Sequence, residues 1–122
     1  MESAVKKILL VDDDESIQLL YQEEFTEEGY QVVSALNGDE ALEIFSKESP
    51  DLIILDIQMP GLNGIEVLRQ IKMLKADTLV ILSSAYHEYK QDLGSWASDD
   101  YVVKSSDMTD LKAAVKRLLE QA

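Results

Sequence analysis

Five short apolar runs, separated by stretches in which apolar residues recur with a helical period, constrain this chain more than any other feature. The runs are Ile8-Leu9-Leu10-Val11, Gln31-Val32-Val33, Leu52-Ile53-Ile54-Leu55, Leu79-Val80-Ile81-Leu82 and Tyr101-Val102-Val103. Most are rich in β-branched residues, and the continuous ones have the pattern of strands buried on both faces. Between them, Ile17, Leu20, Tyr21 and Phe25 form one helical stripe, and Ala41, Leu42 and Phe45 a second. Leu68, Ile71 and Leu74 form a third behind the N-cap candidate Asn63. Leu111, Ala114, Val115, Leu118 and Leu119 follow i, i+3, i+4, i+7, i+8 and predict the last helix. A weaker helix is predicted over Glu88–Ala97, where Tyr89, Leu93, Trp96 and Ala97 share a face but Gly94 costs about 1 kcal/mol relative to alanine. Strands alternating with helices specify an α/β fold, an open and mainly parallel sheet covered by helices on both faces.

The chain has 122 residues, the size of one ordinary domain, so residues 1–122 are read as a single unit. With 46% hydrophobic residues, Gly 5 and Pro 2, it has the composition of a packed domain, not a disordered segment. Lys and Arg number 11 against 24 Asp and Glu, and the net charge of -13 argues against direct binding to nucleic acid or an anionic membrane. The absence of cysteine excludes a disulfide scaffold, a zinc ribbon and thiol catalysis. No apolar run is long enough to span a bilayer, and MESAVKK is followed by no signal core, so a cytoplasmic protein is expected.

In open parallel sheets ligands bind beyond the carboxyl ends of the strands, where the strand order switches. Here those ends carry Asp12-Asp13-Asp14 after strand one, Asp56 after strand three, Ser83-Ser84-Ala85 after strand four and Lys104 after strand five. Taken singly, these residues are ordinary: Asp14 as a helix N-cap, Ser84 as a loop residue, Lys104 as a solvated charge. Together they carry a cost. Two carboxylates ~5 Å apart repel by roughly 3 kcal/mol at an effective dielectric of 20, so Asp12, Asp13 and Asp56 call for a cation. Hard oxygen donors without histidine or cysteine favour Mg²⁺. One carboxylate is then free to act as a nucleophile towards phosphorus, while Lys104 and the Ser84 hydroxyl stabilise the transferring oxygens.

The segments ILLVDDDES, ALNGDEAL, PDLIILDIQMPGLNGIEVL, VILSSAY and DDYVVK, in this order and spacing, resemble the receiver domain of two-component response regulators. The resemblance covers nearly the whole chain and implies a flavodoxin-like (βα)5 fold with strand order 2-1-3-4-5. It implies Asp56 as the phosphoacceptor, Asp13, Asp56 and the backbone carbonyl of Gln58 as direct Mg²⁺ ligands, and Asp12 acting through a metal-bound water. Ser84 takes the place of the switch hydroxyl, Lys104 that of the phosphate-contacting lysine, with Ala85 also contacting the phosphoryl group. Tyr101 falls at the aromatic switch position, although a half-buried sheet-edge aromatic explains it equally well. Gln58 and Tyr86 flank the path of the hydrolytic water and are assigned to the lifetime of the phosphorylated form; a bulky Tyr86 is expected to slow hydrolysis. His87 is given no catalytic task.

The implied partners are a sensor histidine kinase or phosphotransfer protein as donor and a downstream protein target or output domain. Phosphorylation is expected to reshape the surface of the Glu88–Ala97 helix and strand five, which with the last helix could also form a homodimer. The implied role is that of a phosphoacceptor signalling domain that promotes only its own phosphorylation and dephosphorylation, not an enzyme acting on other substrates.

Two departures from the family pattern stand out. Lys104 is followed by Ser105 where the family usually has proline across a cis bond, so a trans bond, or a strained cis bond costing ~3–4 kcal/mol, is expected. Trp96 precedes Ala97-Ser98 where a small Gly-Ala pair is common, and either docks a partner or, as the favoured reading, fills the groove between helix and sheet. Three other functions share parts of this pattern. An aspartyl-nucleophile phosphatase wants an acid at Gln58 and a cap domain. A flavodoxin-like electron carrier is excluded, because Asp12-Asp13-Asp14 would repel an FMN phosphate. A receiver-like interaction module that is not phosphorylated is the alternative kept open by the missing proline.

Overall fold

A computed structural model describes residues 5–61, 63–84, 98–104 and 107–121. Its elements run β1 (Lys7–Val11), α1 (Glu15–Glu27), β2 (Gln31–Ala35), α2 (Gly38–Glu48), β3 (Leu52–Asp56), α3 (Gly64–Leu74), β4 (Leu79–Ser84), β5 (Asp100–Val103) and α4 (Thr109–Gln121). The strands form one parallel sheet in the order β2-β1-β3-β4-β5, the predicted flavodoxin-like topology. The predicted Glu88–Ala97 helix lies outside the described residues.

Alternation along the central strands builds two cores. Leu9, Val11, Ile53, Leu55, Val80 and Leu82 face α2 and α3 and pack with Ala41, Phe45, Val67, Leu68 and Ile71. Their neighbours Ile8, Leu10, Leu52, Ile54 and Ile81 face α1 and α4 and pack with Phe25, Leu111, Ala114, Val115 and Leu119. This double burial is why those strands are continuously apolar in sequence.

Local chemistry starts and stops the helices. Asp14 caps α1 by accepting from the backbone N–H groups of Ser16 and Ile17. Asn37 and Asn63 cap α2 and α3 through the N–H groups of Glu40 and Glu66. The end of α1 closes on Gly29, whose φ of 98° is the left-handed geometry glycine adopts freely, with Tyr30 N–H bonded back to Phe25 O.

Two expected core residues prove to be exposed. Leu20 is 40% exposed and Leu74 64%. The buried face of α1 runs through Gln18, Tyr21 and Phe25, about a third of a turn from Leu20, while Leu74 is the last residue of α3 and projects past the sheet. Among the described residues, no helix is long and apolar enough to cross a membrane.

Candidate phosphoacceptor site

The chain passes from one side of the sheet to the other between β1 and β3, and the acidic strand ends lie at that switch point. Asp12 and Asp13 follow β1, and Asp56 is the last residue of β3. Asp12, Asp13, Asp14, Asp56, Gln58, Ser84 and Lys104 line one shallow cleft of about 220 Å³. The structure therefore brings together the three acids, Gln58, the hydroxyl and the ammonium singled out from sequence. A larger groove of about 840 Å³ runs alongside, between the β3–α3 loop and α3. Its acid, Glu66, is engaged by Arg69, so the converging charged groups belong to the smaller cleft.

Each group is aimed by backbone as well as by its neighbours. Asp12 Oδ1 accepts from the Asp14 N–H at 2.9 Å, which folds the β1–α1 turn and directs the other oxygen into the cleft. Lys104 Nζ lies 2.7 Å from Asp12 Oδ2 and 3.3 Å from Asp56 Oδ2. Its position is fixed by its own N–H, which donates to Ser84 O at 2.6 Å and zips the end of β5 to β4.

Asp56 is 6% exposed, and burial raises its carboxyl pKa from 3.8 to about 6. Lys104 opposes that rise, the Asp12 charge adds to it, and the Gln58 backbone N–H works against it. Burial acts against the Lys104 charge too, but its contacts with Asp12 and Asp56 outweigh burial and hold its pKa up. The lysine is the counter-charge that this acidic cleft requires.

The cleft also fits a hard divalent cation. One carboxylate oxygen from each of Asp12, Asp13 and Asp56 lies within 4.8 Å of the others, with Asp13 exposed and the other two buried. Oxygen-only donors, one of them open to solvent, suit Mg²⁺, which retains several of its waters.

The family model of the response regulator receiver domain matches residues 8–116. The chain belongs to this family. The receiver is 40% identical over 116 residues to sporulation initiation phosphotransferase F of Bacillus subtilis, covering 93% of this chain and 94% of that one. It is also 40% identical over 119 residues to the alkaline phosphatase synthesis transcriptional regulatory protein PhoP of the same organism, covering 96% of this chain but 50% of that protein. Among solved structures, response regulator TrrA of Thermotoga maritima in complex with Mg²⁺ and BeF is 50% identical, with a TM-score of 0.90, covering 93% of this chain and 99% of that one. TrrA in complex with histidine kinase ThkA gives a TM-score of 0.88 at 50% identity, covering 94% of this chain and 99% of that one.

Tyr101 is 6% exposed and belongs to the core on the α2–α3 face, packed more deeply than a half-buried edge aromatic. Ala85, Tyr86, His87, Tyr89 and Trp96 lie outside the described residues, as does the Lys104–Ser105 peptide.

Two residues that support the receiver site escaped the sequence reading. Gly64, the first residue of α3, sits so close to the end of β3 that an added Cβ would collide with Asp56 O and come within 2.8 Å of Ile57 Cα. Its N–H donates to Ile57 O at 2.9 Å. The only signal was a glycine placed directly after an N-cap asparagine. Gln18, 5% exposed, shares its amide N–H groups among Ala35 O (2.7 Å), Asp12 O (3.0 Å) and Leu10 O (3.3 Å). A polar residue inside an otherwise apolar helix face was its signal.

Proposed function

We propose that this receiver, read as one domain over residues 1–122, accepts a phosphoryl group on Asp56 from a sensor histidine kinase or phosphotransfer protein. The observation that carries this reading is the convergence of three carboxylates, Ser84 and Lys104 on one cleft at the switch point of the sheet.

Asp13, Asp56 and the Gln58 carbonyl would hold Mg²⁺, with Asp12 acting through water. When bound, the ion supplies positive charge to the phosphoryl oxygens and offsets the crowding of carboxylates. A carboxylate oxygen of Asp56 attacks phosphorus, the P–N bond of the donor breaks, and the imidazole nitrogen departs with the electron pair. Lys104 then exchanges its contact with Asp56 for the arriving phosphoryl oxygens, and the Ser84 hydroxyl donates to another. Ser84 is 1% exposed on β4, so its engagement transmits the event into the sheet, with Tyr101 following on β5. Gln58 is exposed at the mouth of the cleft, where it can govern the approach of hydrolytic water.

The proposed setting is cytoplasmic. The chain promotes only its own phosphorylation and dephosphorylation and signals by contact with a protein target or output domain. The complex of TrrA with ThkA supports a kinase as donor. The net charge of -13 supports the absence of direct nucleic-acid contact.

Intact mass after incubation with Mg²⁺ and a small phosphodonor tests the reading. A gain of one phosphoryl group, lost with EDTA and in Asp56→Asn, is the expected result. No gain with either a small donor or a histidine kinase, although Mg²⁺ binds, would instead establish an interaction module that is not phosphorylated.

A further inference from the structure

Beneath the acidic cleft, between α1 and the sheet, lies a second and much smaller cavity. It is lined by Leu10, Val11, Asp12, Ile17, Gln18, Tyr21, Ile54 and Ser83, and its volume is about 10 Å³. That is close to the roughly 10–15 Å³ a single water requires. Two of its lining residues are buried and polar, Gln18 at 5% and Ser83 at 2% exposed: Gln18 Oε1 has no hydrogen-bond partner, and Ser83 Oγ faces the Tyr21 phenol.

The orientation of Gln18 is not open to exchange. Its Nε2 faces the carbonyl oxygens of Leu10, Asp12 and Ala35, and turning the amide over would set its oxygen against all three. Oε1 is therefore an acceptor left over, deep in the protein. Ser83 Oγ pairs with the Tyr21 phenol, and a hydroxyl engaged in one such contact still has hydrogen-bonding capacity to spare. An acceptor without a partner and a hydroxyl with capacity to spare, in one cavity of this size, match the two-to-four polar contacts by which proteins retain a buried water.

We propose that this cavity is a binding site for one resident water, bridging Gln18 Oε1 and Ser83 Oγ beside the Tyr21 phenol. The water donates to Gln18 Oε1 and accepts from the Ser83 hydroxyl, whose residue precedes Ser84 on β4. Gln18 in turn holds the carbonyl of Asp12. The bridge thus joins α1, the β1–α1 turn and β4 below the cleft, and it does not depend on the phosphoacceptor reading.

Oxygen-17 magnetic relaxation dispersion counts long-lived waters directly and is the test. Ser83→Val, which removes the hydroxyl and fills the cavity with methyl groups, should lower the amplitude by one water relative to the unmodified protein. Equal amplitudes in the unmodified protein and a folded Ser83→Val would overturn the proposal. Should Ser83→Val fail to fold, a crystal structure of the unmodified protein at better than about 1.5 Å decides. Density for a water between Gln18 Oε1 and Ser83 Oγ supports the site, and a direct contact or an empty cavity refutes it.

Discussion

Asp56 stands out because burial and function act on it in opposite directions. Its folded-state pKa of about 6 lies above the ordinary 3.8, so the folded metal-free protein binds this proton more tightly than the unfolded chain. The carboxylate consequently subtracts from stability as pH rises from about 4 to about 6, and the penalty stays at its full value above that. In EDTA, Asp56→Asn should be more stable than the unmodified protein at pH 7, with the difference disappearing as pH falls towards 4. Urea denaturation across this range measures it. A pH-independent difference would show that the side chain is not held in the buried, proton-retaining state described. Lys104 lies between Asp12 and Asp56 and limits the penalty without removing it.

The elements matter to the site chiefly through where they end. β3 stops at Asp56, and α3 begins at Gly64, whose close approach to the Asp56 carbonyl holds the intervening loop tightly against the strand end. Gly64→Ala forces a methyl group into backbone atoms that have no room to retreat. A loss of roughly 1–3 kcal/mol in urea unfolding is expected from overpacking of this kind. Because the displaced atoms belong to Asp56 and Ile57, the yield of phosphorylation should fall in the fraction that remains folded. Unchanged stability and yield would show that α3 can shift outward without disturbing β3. The start of β5 is tied down on both sides, by Asp99 to Lys72 of α3 and by Asp100 to Arg117 of α4.

For the molecule as a whole, charge and topology converge on the carboxyl ends of the strands. The chain carries -13 overall, and three of its acids meet at the switch point with Lys104 between two of them. A ligand that binds only the folded state stabilises it by mass action, by about 2.7 kcal/mol at a concentration 100 times its dissociation constant. Mg²⁺ should accordingly raise the thermal midpoint in a saturable way, and Asp13→Asn should reduce the effect strongly. Na⁺ at matched ionic strength is the control. An equal response to both salts would mean screening of the general charge instead of a site. Asp13 is the appropriate position because it is exposed and its replacement leaves the buried contacts of Asp12 and Asp56 in place.

The amino-acid sequence by itself determined the order of strands and helices, the two-faced burial of Ile8–Val11 and Leu52–Leu55, and the caps Asp14 and Asn63. These are local or periodic properties, expressed wherever the chain has the appropriate neighbours. The strand ends also showed Asp12, Asp13, Asp56, Ser84 and Lys104 as a set, and resemblance to a family added the strand order and the role expected of each. Tertiary structure alone decided which helix face is buried, and so left Leu20 in solvent while enclosing Gln18. It alone set Gly64 against the Asp56 carbonyl and Lys104 between two carboxylates. Proximity of this kind joins residues tens of positions apart, and its energetic consequence, a carboxyl shifted to about 6, arises from burial that no local pattern encodes.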